Sequence, residues 1–155
     1  RMKTIGLRVT PKVIFFSVAE FLEDESVNIC ITDKMVVPVA LDNPDRLSYL
    51  RITIFTIINQ YEIDNAVIKR IEDNAQTIDL FRVNIEGVVQ ELISNCRIQK
   101  YKSCKQSQLG SLLAKNVTDI KKCIEGENFF TIPNWDQYKK EEREAVLGAL
   151  AATQL

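Results

Sequence analysis

The chemistry open to this chain is set first by what it lacks. Its 155 residues include no histidine. That removes Ser–His and Cys–His nucleophilic sites, imidazole acid–base catalysis and histidine-ligated metals. Four cysteines are present, Cys30, Cys96, Cys104 and Cys123, and no two form a Cys-x-x-Cys pair. A zinc site would need all four thiols at spacings unlike the usual knuckles. They read instead as isolated, mostly buried thiols of a reducing, cytoplasmic compartment. Carboxylate, lysine, cysteine or tyrosine chemistry remains. Carboxylates gather at Glu72-Asp73 and at Glu141, Glu142 and Glu144, while cations gather at Lys69-Arg70. From Arg97 to Lys122 the chain carries Arg97, Lys100, Lys102, Lys105, Lys115, Lys121 and Lys122 against Asp119 alone, in a protein of net charge −1. A surplus of that kind, with Tyr101 and Gln106 among it, can track a nucleic-acid backbone; its plainer reading is a solvated basic face.

The elements that position these residues follow from periodicity. Ala66-Val67-Ile68 is a β-branched apolar run that reads as a buried strand, with Lys69 and Arg70 at its carboxyl end. After the polar turn Glu72-Asp73-Asn74 a long helix is expected from Thr77, with Ile78, Phe81, Ile85, Val88 and Leu92 on one face. A strand feeding a helix is half of a βαβ crossover, and in open sheets sites form at the carboxyl ends of strands. Upstream, Lys3–Val9, Lys12–Phe21 and Ser26–Thr32 read as three closely spaced strands of an antiparallel meander, followed by a short extended piece, Val36–Val39. Pro44 suits the start of a helix with Leu47, Leu50, Ile54 and Ile57 or Ile58 inside. Downstream, a short fifth strand is expected over Arg97–Tyr101, and short helices over Gln106–Ala114 and Val117–Ile124. A loop holding Phe129, Phe130, Pro133 and Trp135 follows, then a final helix over Trp135–Ala152 with Tyr138, Val146, Leu147 and Leu150 inside. The aromatic loop reads as a satellite core, or as an anchor for a protein partner.

Composition is that of a water-soluble domain, 46% hydrophobic and 26% charged. No apolar run approaches the roughly 20 residues that span a bilayer, so no membrane partner is expected. Arg1 ahead of Met2 reads as a remnant before the natural start, and residues 2–155 as one domain.

Three meander strands, then helix, strand, helix, strand and closing helices is the order of the ribonuclease H-like fold, an α/β mixed five-stranded sheet flanked by helices. Four strings sharpen this into a resemblance to the RuvC group of Holliday-junction resolvases. Thr4-Ile5-Gly6-Leu7-Arg8 resembles the family's opening "lGiDpG", and Ala66-Val67-Ile68-Lys69 its "aIE". Phe81–Val89 resembles the helix segment "RGVa", and Ala145–Ala151 the closing "DAaDAlA".

The resemblance implies four carboxylates holding two metal ions, Mg²⁺ or Mn²⁺, for phosphodiester cleavage. The matching positions here are Arg8, Lys69, Ala145 and Gly148. None can donate an anionic oxygen, and two carry the wrong sign, so no catalytic residue, metal or other cofactor is expected. The leading expectation is a binding or interaction module. It would contact DNA or RNA, or another anion, through Arg8, Lys69, Arg70, Arg97, Lys100, Lys102 and Lys105. The alternatives are a metal-dependent nuclease with relocated carboxylates, drawn from Glu72, Asp73, Glu141, Glu142 and Glu144, or a structural subunit bound to a protein partner. In the plainer reading those acidic residues are a solvated turn and an exposed helix face, and Arg8 and Lys69 are salt-bridged replacements in an obsolete cleft. The resemblance also implies a homodimer built on the long helix around Asn84–Glu91.

Overall fold

The computed structural model describes residues 1–70 and 77–155. The turn at Glu72-Asp73-Asn74 lies outside the described residues. One five-stranded sheet has the order β3-β2-β1-β4-β5. Strands β1 (Met2–Val9), β2 (Val13–Phe21) and β3 (Val27–Val36) form the expected antiparallel meander. Strand β4 (Asn65–Lys69) pairs parallel with β1, and β5 (Lys100–Cys104) parallel with β4. The mixed sheet anticipated from the order of elements is present. No helix among the described residues is long and apolar enough to cross a membrane.

Alternation along the strands sorts residues between two faces. Ile5, Leu7 and Val9 of β1 and Ala66 and Ile68 of β4 face helices α1 (Asn43–Gln60) and α2 (Leu80–Ser94), whose Leu50, Ile54, Ile58, Ile85, Val89 and Leu92 complete the main core. The opposite face carries Thr4, Gly6 and Arg8 of β1 and Asn65, Val67 and Lys69 of β4, and it is covered by α5 (Lys140–Ala152). Helices α3 (Gln106–Leu113) and α4 (Val117–Glu125) pack beside α5. All five residues of β4 are buried, as a strand covered on both faces requires.

Several boundaries differ from the sequence expectation, each for a local reason. Strand β3 runs on to Val36, because Val13 still pairs with it, and absorbs the start of the expected separate piece. Helix α2 begins at Leu80, where the Asp79 carboxylate accepts from the Arg82 amide at 3.0 Å. Ile78 therefore falls outside the helix and is exposed, and Val89 rather than Val88 is buried. Strand β5 starts three residues late. Arg97 is spent at the entry, its Nε donating to the Ile63 carbonyl at 3.1 Å, and pairing opens at Lys100 opposite Asn65. The last helix is broken. Asn134 takes a left-handed conformation (φ 63°), Trp135–Gln137 make one 3₁₀ turn, and α5 starts only after Lys139, whose amide donates to Glu142 Oε1 at 3.0 Å. Trp135 is buried in the satellite core, its Nε1 donating to the Cys123 carbonyl at 3.1 Å, while Phe129 stays exposed. Of the thiols, Cys104 and Cys123 are buried, Cys96 is half-buried and Cys30 is exposed on β3.

Candidate functional site

Gly6 and Gly148 build the site. A Cβ on Gly6 would collide with the Ala145 carbonyl oxygen and the Ala149 nitrogen, so the bare glycine lets α5 lie directly on β1. The helix runs antiparallel to the strand. Thr4 Oγ1 donates to the Ala149 carbonyl at 2.7 Å, and Asn65 Nδ2 to the Ala152 carbonyl at 3.0 Å. One turn before Gly148 on the same helix face comes Glu144; two residues after Gly6 on the same strand face comes Arg8. The crossing therefore sets Glu144 over the carboxyl ends of β1 and β4.

There the carboxylate meets two cations. Arg8 Nε lies 3.1 Å from Glu144 Oε1, and Lys69 Nζ 3.6 Å from Oε2. Arg8 and Lys69 are register partners on adjacent parallel strands, so their pairing with one carboxylate follows from the sheet. Side-chain exposures of 16%, 3% and 9% for Arg8, Lys69 and Glu144 make this a largely buried cluster. The Arg8 contact is ionic more than directional: its Nε is buried without a well-aligned hydrogen bond, although the carboxylate is in range. Lys69 Nζ also donates to the Arg70 carbonyl at 2.9 Å. A second pair stands close by, Arg82 Nε with Glu86 Oε1 at 3.0 Å. Burial, then the neighbouring Arg8 charge, lowers the Arg82 pKa from its ordinary value, against the pull of Glu86 and Glu144.

Glu144 corrects the sequence reading. The sequence pattern puts it on an exposed helix face with Glu141 and Glu142; it is 7% exposed and engaged by both Arg8 and Lys69. The "DAaDAlA" string, placed to start at Ala145, meets the strand ends one residue earlier, at Glu144. The signal that could have found it is the glycine pair, because Gly6 and Gly148 fix which helix residue stands over Arg8. Arg82 and Glu86 were missed altogether. Among the described residues no group of three or more carboxylates or thiols is placed to hold a metal ion. Of the other relocation candidates, Glu72 and Asp73 lie outside the described residues, and Glu141 and Glu142 are half-buried in the first turn of α5, Glu142 accepting from the Lys139 amide. Among the described residues the side chains do not fit a two-metal site: cations, Arg8 and Lys69, stand where the resemblance implies two carboxylates, and hard divalent ions need oxygen donors.

The other predicted cations do not converge on this point. Arg70 is close, its amide donating to the Cys104 carbonyl at 2.9 Å, and Lys105 stands at the start of α3 just past the end of β5. Lys100 and Lys102 are exposed along β5, which forms one edge of the sheet. Lys100 Nζ reaches the Leu155 carbonyl at 3.3 Å. Arg97 is at the opposite end of the strands, paired with Asp64 at 3.5 Å. The basic residues form a row along an edge, not a single pocket.

No protein-family model matches the chain, and no curated protein matches it in sequence. Solved structures do resemble it. RuvC of Thermus thermophilus, in complex with a Holliday junction substrate, superposes with a TM-score of 0.67 at 12% identity, over 97% of this chain and 92% of that one. The yeast mitochondrial Holliday junction resolvase gives 0.62 at 17% identity, over 99% and 79%. The fowlpox virus Holliday junction resolvase gives 0.52 at 8% identity, over 98% and 95%. The fold is that of the RuvC-type resolvases.

Proposed function

We propose that this chain is a RuvC-like domain that binds nucleic acid without cutting it. The observation that carries the reading is the Arg8–Glu144–Lys69 cluster at the carboxyl ends of β1 and β4. The resemblance sets metal-binding carboxylates at those strand ends. Here two protein-borne cations hold the carboxylate instead, so a divalent ion approaching it meets like charge. Arg8 and Lys69 thus serve to satisfy Glu144. Contact with phosphates falls to the edge row of Lys100, Lys102 and Lys105, with Arg70 beside it. Such contacts are sequence-independent and salt-sensitive. The solved neighbours bound to junction DNA support a nucleic-acid partner for this fold.

The test incubates the protein with labelled four-way junction, duplex, single-stranded DNA and RNA–DNA hybrid, with Mn²⁺ or with chelator, and scores retardation and cleavage together. The reading expects retardation that weakens with salt, is unchanged by chelator, and leaves the DNA intact. Mn²⁺-dependent cutting overturns it.

A homodimer is part of the proposal. Gly87 sits mid-helix in α2 where an added Cβ would meet nothing within 4 Å, and Val83 beside it is 41% exposed. A mid-helix glycine costs about 1 kcal/mol relative to alanine, and among the described residues nothing packs against that point. Close approach of a second copy supplies that packing. Sedimentation equilibrium of the wild type and of Gly87→Trp tests it, with dimer lost in the variant; a wild-type monomer at high concentration sinks this part.

A further inference from the structure

The α3–α4 pair has features that closing the sheet does not require. Helix α3 ends at Leu113, Ala114-Lys115-Asn116 turn the chain, and α4 begins at Val117. Ala114 adopts the left-handed conformation (φ 54°), which favours glycine and is strained for alanine. Asn116 caps α4, its Oδ1 accepting from the Asp119 amide at 2.8 Å. Gly110 faces the turn so closely that an added Cβ would lie 2.6 Å from the Lys115 carbonyl oxygen and 3.5 Å from Ile120 Cγ1. Two short helices joined by a three-residue turn that opens on one left-handed residue, with a glycine on the first packed against an aliphatic residue on the second, have the connection of a helix–turn–helix.

Helix α4 is also divided as a reading helix would be. Ile120, Cys123 and Ile124 are buried in the satellite core. Val117, Thr118, Lys121 and Lys122 are exposed, and Glu125 on that surface is neutralised by Lys140 at 3.0 Å. The outward face therefore presents Val117, Thr118 and two lysines, with Asp119 half-buried in the first turn where its amide meets the Asn116 cap, and the lysines complement a phosphate-lined groove. Lys115, in the turn, is held over the Phe129 and Phe130 rings at 5.6 and 5.9 Å. That contact braces the aromatic loop against the start of α4.

We infer that α3 and α4 form a helix–turn–helix unit whose second helix enters the major groove of duplex DNA through Thr118, Lys121 and Lys122. The inference rests on the nucleic-acid-binding reading above and deepens it, assigning a duplex-binding element apart from the β5 edge. Thr118 would meet base edges, and the two lysines the flanking phosphates.

The experiment measures binding of a 30-base-pair duplex by anisotropy across a salt series. It compares the wild type, Lys121→Ala with Lys122→Ala, and a control of equal charge change, Lys12→Ala with Lys34→Ala, at exposed positions away from α4. The expected result is an affinity loss of about tenfold or more, with the salt slope shallower by about 2, for the α4 variant only. Methyl green, which occupies the major groove, should displace the protein from duplex, while the minor-groove ligand distamycin should not. Wild-type binding that the α4 variant and methyl green leave unchanged overturns the helix–turn–helix while leaving the edge row intact. A wild type that binds no DNA at low salt overturns both readings.

Discussion

Gly148 meets Gly6 backbone to backbone where α5 crosses β1: a Cβ on Gly148 would stand 3.2 Å from the Gly6 Cα. The two glycines are not equivalent. A methyl on Gly6 would strike helix backbone, which cannot move without lifting α5 from the sheet, whereas one on Gly148 faces the Gly6 Cα and a Val67 side chain. Overpacking of the first kind costs about 3 kcal/mol or more. For Gly148→Ala a milder crowding is offset by the roughly 1 kcal/mol that alanine gains over glycine within a helix. Thermal melts should place Gly6→Ala about 6–12 °C below wild type and Gly148→Ala within a few degrees of it. Equal melting points would mean that the crossing does not set the helix position.

The Arg8–Glu144–Lys69 cluster makes an asymmetric prediction about stability. Removing the carboxylate alone, as in Glu144→Ala, takes the buried counter-charge from Arg8 and Lys69 together and should cost about 3–5 kcal/mol. Replacing all three members together, Arg8→Met, Lys69→Met and Glu144→Leu, should cost much less, because the desolvation of these three charges is removed along with their attraction. Urea denaturation of both variants decides. A single variant as stable as wild type would show that the cluster is solvated and that Glu144 is not held as described.

How much of this was legible in the sequence depends on the range of the interaction that fixes each feature. The three-strand meander and the buried strand ending at Lys69 could be read, because β-branched runs are local signals, whereas the Arg8–Lys69 juxtaposition followed only from the resemblance. Glu144 could not be placed by helical periodicity. Its neighbours Glu141, Glu142 and Arg143 make the segment look solvated, and only the long-range contact of Gly6 with α5 turns Glu144 inward. The start of β5 was misplaced for a similar reason. Arg97 and Ile98 fit a strand pattern, but the parallel register with β4 begins at Lys100.

The buried thiols predict a dependence on alkaline pH. Burial raises the pKa of Cys104 and of Cys123 from the ordinary 9.0, for Cys104 against the pull of Lys102, Arg70 and Lys69. A folded-state pKa above the unfolded value stabilises fully below the unfolded pKa and is lost as pH rises through the folded one. Stability should therefore fall above about pH 9, and Cys104→Ala with Cys123→Ala should flatten that fall. Alkylation of the native protein near pH 8 should modify exposed Cys30 first. Early labelling of Cys104 or Cys123 would contradict their burial.

Arg143 explains why the last helix is broken, and it makes the final prediction. It is 9% exposed, and its guanidinium donates to three carbonyls: Ile124 at 2.9 Å, Trp135 at 3.1 Å and Asp136 at 3.4 Å. Those carbonyls belong to the end of α4 and to the 3₁₀ turn, two places where helical pairing stops and acceptors are left over. One fork-shaped cation thus ties α4, the aromatic loop and α5 together. A lysine has a single ammonium and cannot serve three divergent acceptors. Both Arg143→Lys and Arg143→Leu should therefore destabilise, the latter by about 3 kcal/mol or more. Trp135 is the chain's single tryptophan, buried against this guanidinium with its ring 6.0 Å away, so its emission reports the site directly. The emission should shift to the red in both variants under conditions where far-ultraviolet circular dichroism still shows the sheet and α1 folded. Full rescue by lysine, with unshifted emission, would mean that the three carbonyls need only a positive charge and that the geometry of the fork is irrelevant.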